Sequence, residues 1–145
     1  MKLTSKYHET INYEEKEIIT FENGIFGFES LRNFIIIPVE GNELFSILHS
    51  IEDDNVEIVI VSPFDFKDDY EFKLSNQCIE KLNIKEEKDV LVYTTTTLNS
   101  DINKITTNLK APIIINVCNN LAMQIIIDND KYKIKEPLFK EWYKC

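Results

Sequence analysis

The side chains that could catalyse a reaction or bind a metal are few in this sequence and widely spaced. His8 and His49 are the two histidines, and neither has a serine or cysteine neighbour in a recognisable nucleophile motif. The three cysteines, Cys78, Cys118 and Cys145, lie far apart and form no Cys-x-x-Cys pair. The sequence therefore predicts neither a zinc site nor a disulfide framework, and we expect reduced thiols and no cofactor.

Two groups of carboxylates are the other candidates for chemistry. One group is residues 52–54, and the other is Asp65 with residues 68–69. Paired carboxylates can serve as general acid and base or bind calcium, but both groups fall in segments that read as turns. No Asp-x-Asp-x-Asp-Gly loop is present. We interpret these acids as solvated turn charges and expect that the protein is not an enzyme.

The composition predicts one soluble domain of ordinary size. At 145 residues the chain is long enough to bury its own core without a disulfide or metal. Its N-terminus lacks the apolar core of a secretory signal, and no apolar run approaches the ~18 residues needed to span a bilayer. We therefore expect a cytoplasmic location, no membrane contact and a monomer.

The charge balance favours protein partners over nucleic acid. Sixteen basic and twenty-five acidic side chains give a formal net charge of -9. Affinity for a phosphate backbone depends on clustered Lys and Arg, so nucleic acid is not an expected direct ligand. A negative field instead speeds encounters with basic proteins.

Strand-like segments dominate the chain. Each is rich in β-branched or aromatic residues and is bounded by polar turns; they are 18–21, 34–39, 44–48, 56–61, 70–74, 90–97, 104–109, 113–118, 123–127 and 132–135. Roughly ten strands are typical of a barrel or sandwich, and we predict a mainly β, antiparallel, barrel-like single domain. Residues 34–37 are apolar on both faces, which predicts a strand beneath a covering element.

One short helix is predicted over residues 75–82. Ser75 can cap it, and Cys78, Ile79 and Leu82 share a face by their spacing. We expect it to plug one end of the barrel. The 113–118 and 123–127 strands flank Asn119-Asn120, a pair that tolerates the positive φ of a hairpin turn. Pro112, which cannot donate a ladder hydrogen bond, should start its strand or lie on an edge.

The glycines also carry information. Gly24 and Gly27 follow the first predicted strand, and we expect both to adopt turn conformations that larger residues avoid. Phe26 and Phe28 would anchor this loop. Alternatively, both rings simply fill the core.

Taken together, these residues resemble the FliW family of flagellar assembly factors. The landmarks occur in the family's order from about Ile18 to Leu138; they are Gly24-x-x-Gly27-Phe28-Glu29, residues 48–53, Pro63-Phe64, Asp69-Tyr70, residues 108–113, Gln124 and Tyr132. The resemblance implies a FliW-like domain over residues 1–138. The aromatic tail 139–145 lies beyond the alignable region, and we favour packing of this tail on the body.

The resemblance also implies a function in flagellum biogenesis. FliW-like proteins bind the basic RNA-binding repressor CsrA, which relieves its block on flagellin mRNA translation, and they alternatively bind flagellin in a chaperone-like manner. Accumulated flagellin then frees CsrA. The partner-binding residues that we infer from this resemblance are Phe26, Phe28, Glu52, Asp53, Asp54, Asp69, Asn108, Lys110 and Pro112.

Two other classes stay open at this point. A small-ligand carrier would use the barrel mouth as an apolar pocket lined by Phe26, Phe28 and Tyr93. A hydrolase acting through the scattered carboxylates is the less favoured alternative.

Overall fold

The computed structural model describes residues 1–3 and 10–139, and this part of the chain is mainly β. It contains eleven strands in chain order: β1 Lys2–Leu3, β2 Ile11–Asn12, β3 Ile19–Phe21, β4 Asn33–Pro38, β5 Phe45–Ser50, β6 Glu57–Val61, β7 Val90–Thr97, β8 Thr106–Thr107, β9 Ile113–Asn116, β10 Leu121–Gln124 and β11 Glu136–Pro137. The one α-helix of the described residues is α1, Asn76–Lys81.

Seven of these strands close into a barrel. Within the described residues the order is β7-β6-β5-β4-β3-β10-β9, and β9 pairs with β7 to complete the ring. All of these pairings are antiparallel except that of β3 with β10. The predicted barrel-like fold is confirmed, and closure leaves its wall with few free edges.

The barrel interior is filled by apolar side chains that alternate along the strands. The interior cluster is Ile19, Phe21, Ile25, Phe34, Leu48, Ile60, Ile113, Ile115 and Ala122, with Tyr93 packed against it. Phe21 and Phe34 meet edge to face with ring centroids 5.4 Å apart. Because the interior is occupied by core side chains, the fold is a packed barrel.

Two elements cover the outside of the barrel wall. The β1–β2 hairpin brings Leu3 against Ile35, Ile37 and Ile47, which accounts for the two apolar faces of β4. Helix α1 places Cys78 and Leu82 against the outward side chain of Ile114. The helix therefore covers the wall of the barrel, and the expectation that it plugs an end was wrong.

Two predicted strands are absent from the ladders. Residues 70–74 keep the predicted alternation of buried and exposed side chains but pair with no strand of the described residues, and residues 132–135 form a turn region. The predicted strand 104–109 shortens to β8. The hairpin of β9 and β10 is confirmed, with a loop of residues 117–120 in which Asn120 has φ 57.

The described residues include the first residue of the predicted C-terminal tail. Phe139 packs edge to face on Phe66 at 6.0 Å between centroids, whereas the rest of the predicted tail, residues 140–145, lies outside the described residues. His8 and Cys145 also lie outside them. No helix in the described part of the chain is long and apolar enough to cross a membrane.

Candidate protein-binding end of the barrel

One end of the barrel gathers most of the residues that the sequence singled out. Strands β4, β6 and β9 begin at this end, while β3, β5, β7 and β10 finish there. Its segments are residues 22–32, 51–56, 98–105, 108–112 and 125–131, which we call the acidic end. They carry the acids Glu22, Glu29, Glu52, Asp53, Asp54, Asp101, Asp128 and Asp130 against the bases Arg32, Lys104, Lys110 and Lys131.

The 24–29 loop presents two phenyl rings to solvent at the acidic end. Gly24 and Gly27 have φ of 70 and 91, as predicted, and Ile25 bridges to Phe28 across the turn. Ile25 is the buried anchor of this loop, whereas Phe26 and Phe28 are 49% and 39% exposed. The expectations that the two rings anchor the loop or fill the core were therefore wrong, and the rings are free to contact another molecule.

The acidic turn between β5 and β6 contains three carboxylates in different circumstances. Glu52 accepts hydrogen bonds from the N–H groups of Arg32 and Asn33 at 2.7 and 2.8 Å, so it holds the entry to β4. Asp53 accepts from the Asn55 N–H at 3.0 Å and shapes its own turn. Asp54 is exposed, and its carboxylate accepts no hydrogen bond from the described residues. Asp54 is therefore the acid of this turn whose charge can be changed without removing a hydrogen bond of the described residues.

The 108–112 segment is held by its own hydrogen bonds. The Asn108 carboxamide oxygen accepts from the Lys110 N–H at 3.0 Å, and the Asn108 N–H donates to the Thr95 carbonyl at 2.9 Å. Pro112 is buried immediately before β9 and accepts from the Ile125 N–H at 3.1 Å. These contacts give Asn108 and Pro112 structural roles, and their contact with a partner stays a prediction.

Gln124 joins two parts of the acidic end, a role that its place in the sequence did not reveal. Its side-chain oxygen accepts from the Phe26 N–H at 2.9 Å, while its side-chain nitrogen donates to the Ala111 carbonyl at 2.9 Å. One carboxamide thus fixes the phenyl-bearing loop to the 108–112 segment. The sequence signal was only its membership in the family pattern, because the contact joins residues far apart along the chain.

Asp69 lies on the flank of the acidic end, within a small network of charges. Lys67 and Lys131 approach its carboxylate at 3.5 and 3.7 Å, and the Lys67 ammonium is the main cause that lowers the pKa of Asp69. Lys110 lies 3.6 Å from the exposed carboxylate of Asp130 in the neighbouring turn. These contacts are exposed or partly exposed, so water and salt screen them and each contributes little to stability.

His49 is built into the wall. It faces Glu57 on the neighbouring strand, with 3.0 Å between its Nε2 and a carboxylate oxygen. Its Nδ1 lies 2.6 Å from the Ser50 carbonyl, and the side chain is fully buried. The pair is closed to a substrate in solution, so it does not form an active site with the carboxylates of the acidic turn.

Two grooves of the described residues do not match the mouth pocket that a ligand carrier would need. Grooves of about 740 Å³ and about 290 Å³ are lined by residues other than Phe26, Phe28 and Tyr93. Tyr93 instead packs against the interior cluster. The acidic end is a charged surface with two exposed phenyl rings.

Fold and surface together define a small closed β-barrel that presents an acidic, ring-bearing end to its surroundings. The family model described as FliW protein matches residues 2–138, and the chain belongs to the FliW family. A flagellar assembly factor FliW of Clostridium botulinum (strain Okra / Type B1) is 56% identical over 97% of this chain and 99% of its own. That of Clostridium beijerinckii is 57% identical over 97% of this chain and 100% of its own.

A solved structure agrees with the fold. The crystal structure of the flagellar assembly factor FliW superposes with a TM-score of 0.91 at 37% identity, covering 98% of this chain and 99% of that one. A relative from Clostridium tetani, 51% identical, matches over 100% of both chains. The relatives are named flagellar assembly factors, and by its family this chain is a flagellar assembly factor, which is a regulatory or assembly role.

Proposed function

We propose that this protein acts as a cytoplasmic, monomeric partner switch in flagellum assembly. It binds the basic repressor CsrA, which relieves repression of flagellin mRNA, and it alternatively binds flagellin. Family membership and the net charge of -9 support this proposal. The observation that carries it is the meeting of exposed phenyl rings and an acidic turn at one end of the barrel.

Affinity and steering have different sources in this proposal. An exposed ion pair contributes only ~0–1 kcal/mol, whereas a micromolar complex needs about -8 kcal/mol. The Phe26 and Phe28 rings supply the apolar contact area that the charges cannot. The carboxylates, above all that of Asp54, speed the encounter with a cationic partner and repel RNA phosphates once the partner is docked.

The hydrogen bonds of the acidic turn determine which carboxylate is best reversed to test the charge. Reversing Glu52 would also remove the acceptor for two backbone N–H groups, so a loss of binding there would be ambiguous. Asp54→Lys changes the charge without breaking a bond of the described residues. Glu43→Lys is the matched control, because Glu43 is exposed in the turn joining β4 to β5 at the opposite end of the barrel.

The test measures the association rate with CsrA at several salt concentrations. Asp54→Lys is expected to slow association by about threefold to tenfold at low salt, with the difference fading as salt rises, while Glu43→Lys has a smaller effect. Equal effects of the two variants would mean that net charge alone matters. That result would remove the acidic end from the proposal.

The phenyl rings are tested through the dissociation rate. Phe26→Ala and Phe28→Ala are each expected to weaken CsrA or flagellin binding by about tenfold or more, largely through faster dissociation. Leu44→Ala is the control, because Leu44 is 42% exposed at the opposite end. Unchanged affinity in both phenylalanine variants would contradict the proposal.

For the remaining candidate residues, binding and melting-temperature measurements distinguish contact with a partner from a structural role. Lys110→Ala is expected to weaken binding without lowering the melting temperature, because its side chain makes only a 3.6 Å contact to an exposed carboxylate. Substitution of buried Pro112 is expected to act mainly on stability, by lowering the melting temperature. Asp69→Asn is expected to change association only slightly, since two lysines already offset its charge.

A further inference from the structure

Residues 71–74 form an extended segment that lies on the barrel without a strand partner. Glu71 and Lys73 are exposed, whereas Phe72 and Leu74 are half-buried, which is the alternation of an extended chain. Within the described residues, the backbone groups of Phe72, Lys73 and Leu74 make no hydrogen bond. Backbone N–H and C=O groups are paired when they are buried, so we expect these unpaired groups to face water.

One edge of this segment is capped by a side chain. The Tyr132 hydroxyl accepts from the Glu71 N–H at 2.9 Å and donates to the Glu71 carbonyl at 3.1 Å. Successive residues of an extended chain direct their peptide groups to opposite edges. The peptide groups of Phe72 and Leu74 therefore face away from Tyr132, along an edge that no element of the described residues occupies.

An apolar groove of about 740 Å³ runs beside this segment. It lies between the segment, helix α1 and the start of β7, and its apolar lining includes Phe64, Phe72, Leu74, Ile79, Ile84 and Val90. Phe64 is 44% exposed. The groove thus combines pockets for apolar side chains with a row of unpaired peptide groups, the two features that strand addition uses.

The charges around the groove favour a basic occupant. Glu71, Glu86 and Glu87 line it against Lys73 and Lys85, with Glu86 paired to Lys88 at 3.2 Å, in a chain whose net charge is -9. An acidic segment would be repelled by the net charge of the whole molecule, whereas a segment flanked by Lys or Arg would be attracted.

We propose that residues 71–74 and the adjoining groove bind an extended segment of a partner protein by strand addition. The segment carries apolar side chains at every second position and basic residues at its ends. Its main-chain groups pair with those of Phe72 and Leu74, and its apolar side chains enter the groove. A helix would leave the peptide groups of the site unpaired, because its own are already satisfied internally.

This site has its own groove, although Phe72 packs in one cluster with Leu109 and Ile127 of the acidic end. It lies on the outer wall over β7 and β9, and none of the lining residues belongs to the segments that define the acidic end. The inference therefore holds or fails independently of the proposed binding of CsrA and flagellin at that end.

The test uses the full chain and a synthetic peptide, acetyl-Lys-Val-Thr-Val-Thr-Val-Lys-amide. Amide hydrogen exchange is followed by nuclear magnetic resonance with and without the peptide. In the free protein the amides of Phe72 and Leu74 should exchange rapidly and that of Glu71 more slowly, because only Glu71 has a hydrogen-bond partner. Saturating peptide should slow exchange at Phe72 and Leu74 by about tenfold or more and leave Glu71 nearly unchanged.

Matched peptides and variants separate the contributions. A peptide N-methylated at alternate residues should bind at least about tenfold more weakly, because it lacks half of its donors. A peptide with glutamate at both ends should also bind more weakly, with the difference shrinking as salt rises. Phe64→Ala should weaken binding, whereas Phe28→Ala, which removes a ring of similar exposure at the acidic end, should not.

Three results would overturn the proposal. One is slow exchange of Phe72 and Leu74 in the free protein, which would mean that the edge is already occupied. Another is peptide binding that leaves these two amides unprotected, as docking of a helix or a purely apolar contact would do. The third is equal affinity for the parent and the N-methylated peptide.

Discussion

Alanine at Gly24 is expected to cost far more stability than alanine at Gly27, although both glycines belong to the loop that presents the phenyl rings. Both have positive φ, 70 and 91, so both substitutions carry a conformational cost of about 1–3 kcal/mol. The surroundings differ. A Cβ at Gly24 would lie 2.6 Å from the Glu29 carbonyl oxygen, whereas a Cβ at Gly27 would meet nothing within 4 Å.

The clash at Gly24 involves backbone atoms, so a side-chain rotation cannot relieve it. The carbonyl carbon and Cα of Glu29 also lie 2.7 Å from the same position. Forcing atoms into a packed site costs about 1–3 kcal/mol more. We therefore expect Gly24→Ala to lower the free energy of unfolding by about 2–6 kcal/mol, against about 1–3 kcal/mol for Gly27→Ala.

Urea unfolding followed by circular dichroism measures both values in parallel. The slope of free energy against urea should be similar for the two variants, so that the midpoints can be compared directly. Equal destabilisation by the two alanines, or a larger loss of unfolding free energy at Gly27, would contradict this prediction. It would mean that the Glu29 backbone moves away without cost.

Three further predictions concern single side chains. Tyr132→Phe removes the hydroxyl that pairs with the Glu71 N–H and carbonyl, so unfolding free energy should fall by about 1–2 kcal/mol; no change would show that water replaces the hydroxyl. Ser75→Ala removes the N-cap of α1 and should cost about 1 kcal/mol by urea unfolding, and retention of full stability would count against the cap. Burial raises the pKa of Tyr70, whose hydroxyl donates to the Leu109 carbonyl, above its ordinary value of 10.0. The unfolded chain therefore loses this proton first, and stability should decline as pH rises beyond about 10, less steeply in Tyr70→Phe.

The sequence was most informative where local composition decides the structure. Residues 90–97 form β7 with the predicted bounds, because every residue of this run except Leu91 is β-branched or aromatic, a composition that favours a strand. Ser75 caps α1 as predicted, through the Cys78 N–H at 3.1 Å. Both features depend only on neighbours within a few residues.

The sequence was less informative where partners come from afar. Residues 70–74 have the pattern of a strand, but pattern alone could not reveal that no strand of the described residues lies beside them. The two-residue strands β1 and β2 were missed because so short a segment has no periodicity. The position of α1 on the wall depends on which strands meet beneath it, which is a property of barrel closure.

At the candidate site, too, the sequence revealed local features but not contacts between distant residues. Residue types and family pattern identified Phe26, Phe28 and the acidic turn, but their meeting at one barrel end follows from the strand order. The structural role of Glu52 could not be predicted, because the backbone N–H groups that donate hydrogen bonds to its carboxylate belong to Arg32 and Asn33, which are distant in the sequence. Exposure of the two rings could not be predicted, since the neighbouring Ile25 takes the buried position.

Binding of CsrA at the acidic end can be mapped by amide hydrogen exchange, measured on this protein alone and saturated with CsrA. We expect slowed exchange in the 24–29 loop and in the 51–56 turn, with little change in the 39–44 turn at the opposite end. Protection confined to that opposite turn, or no protection anywhere at saturating CsrA, would contradict it.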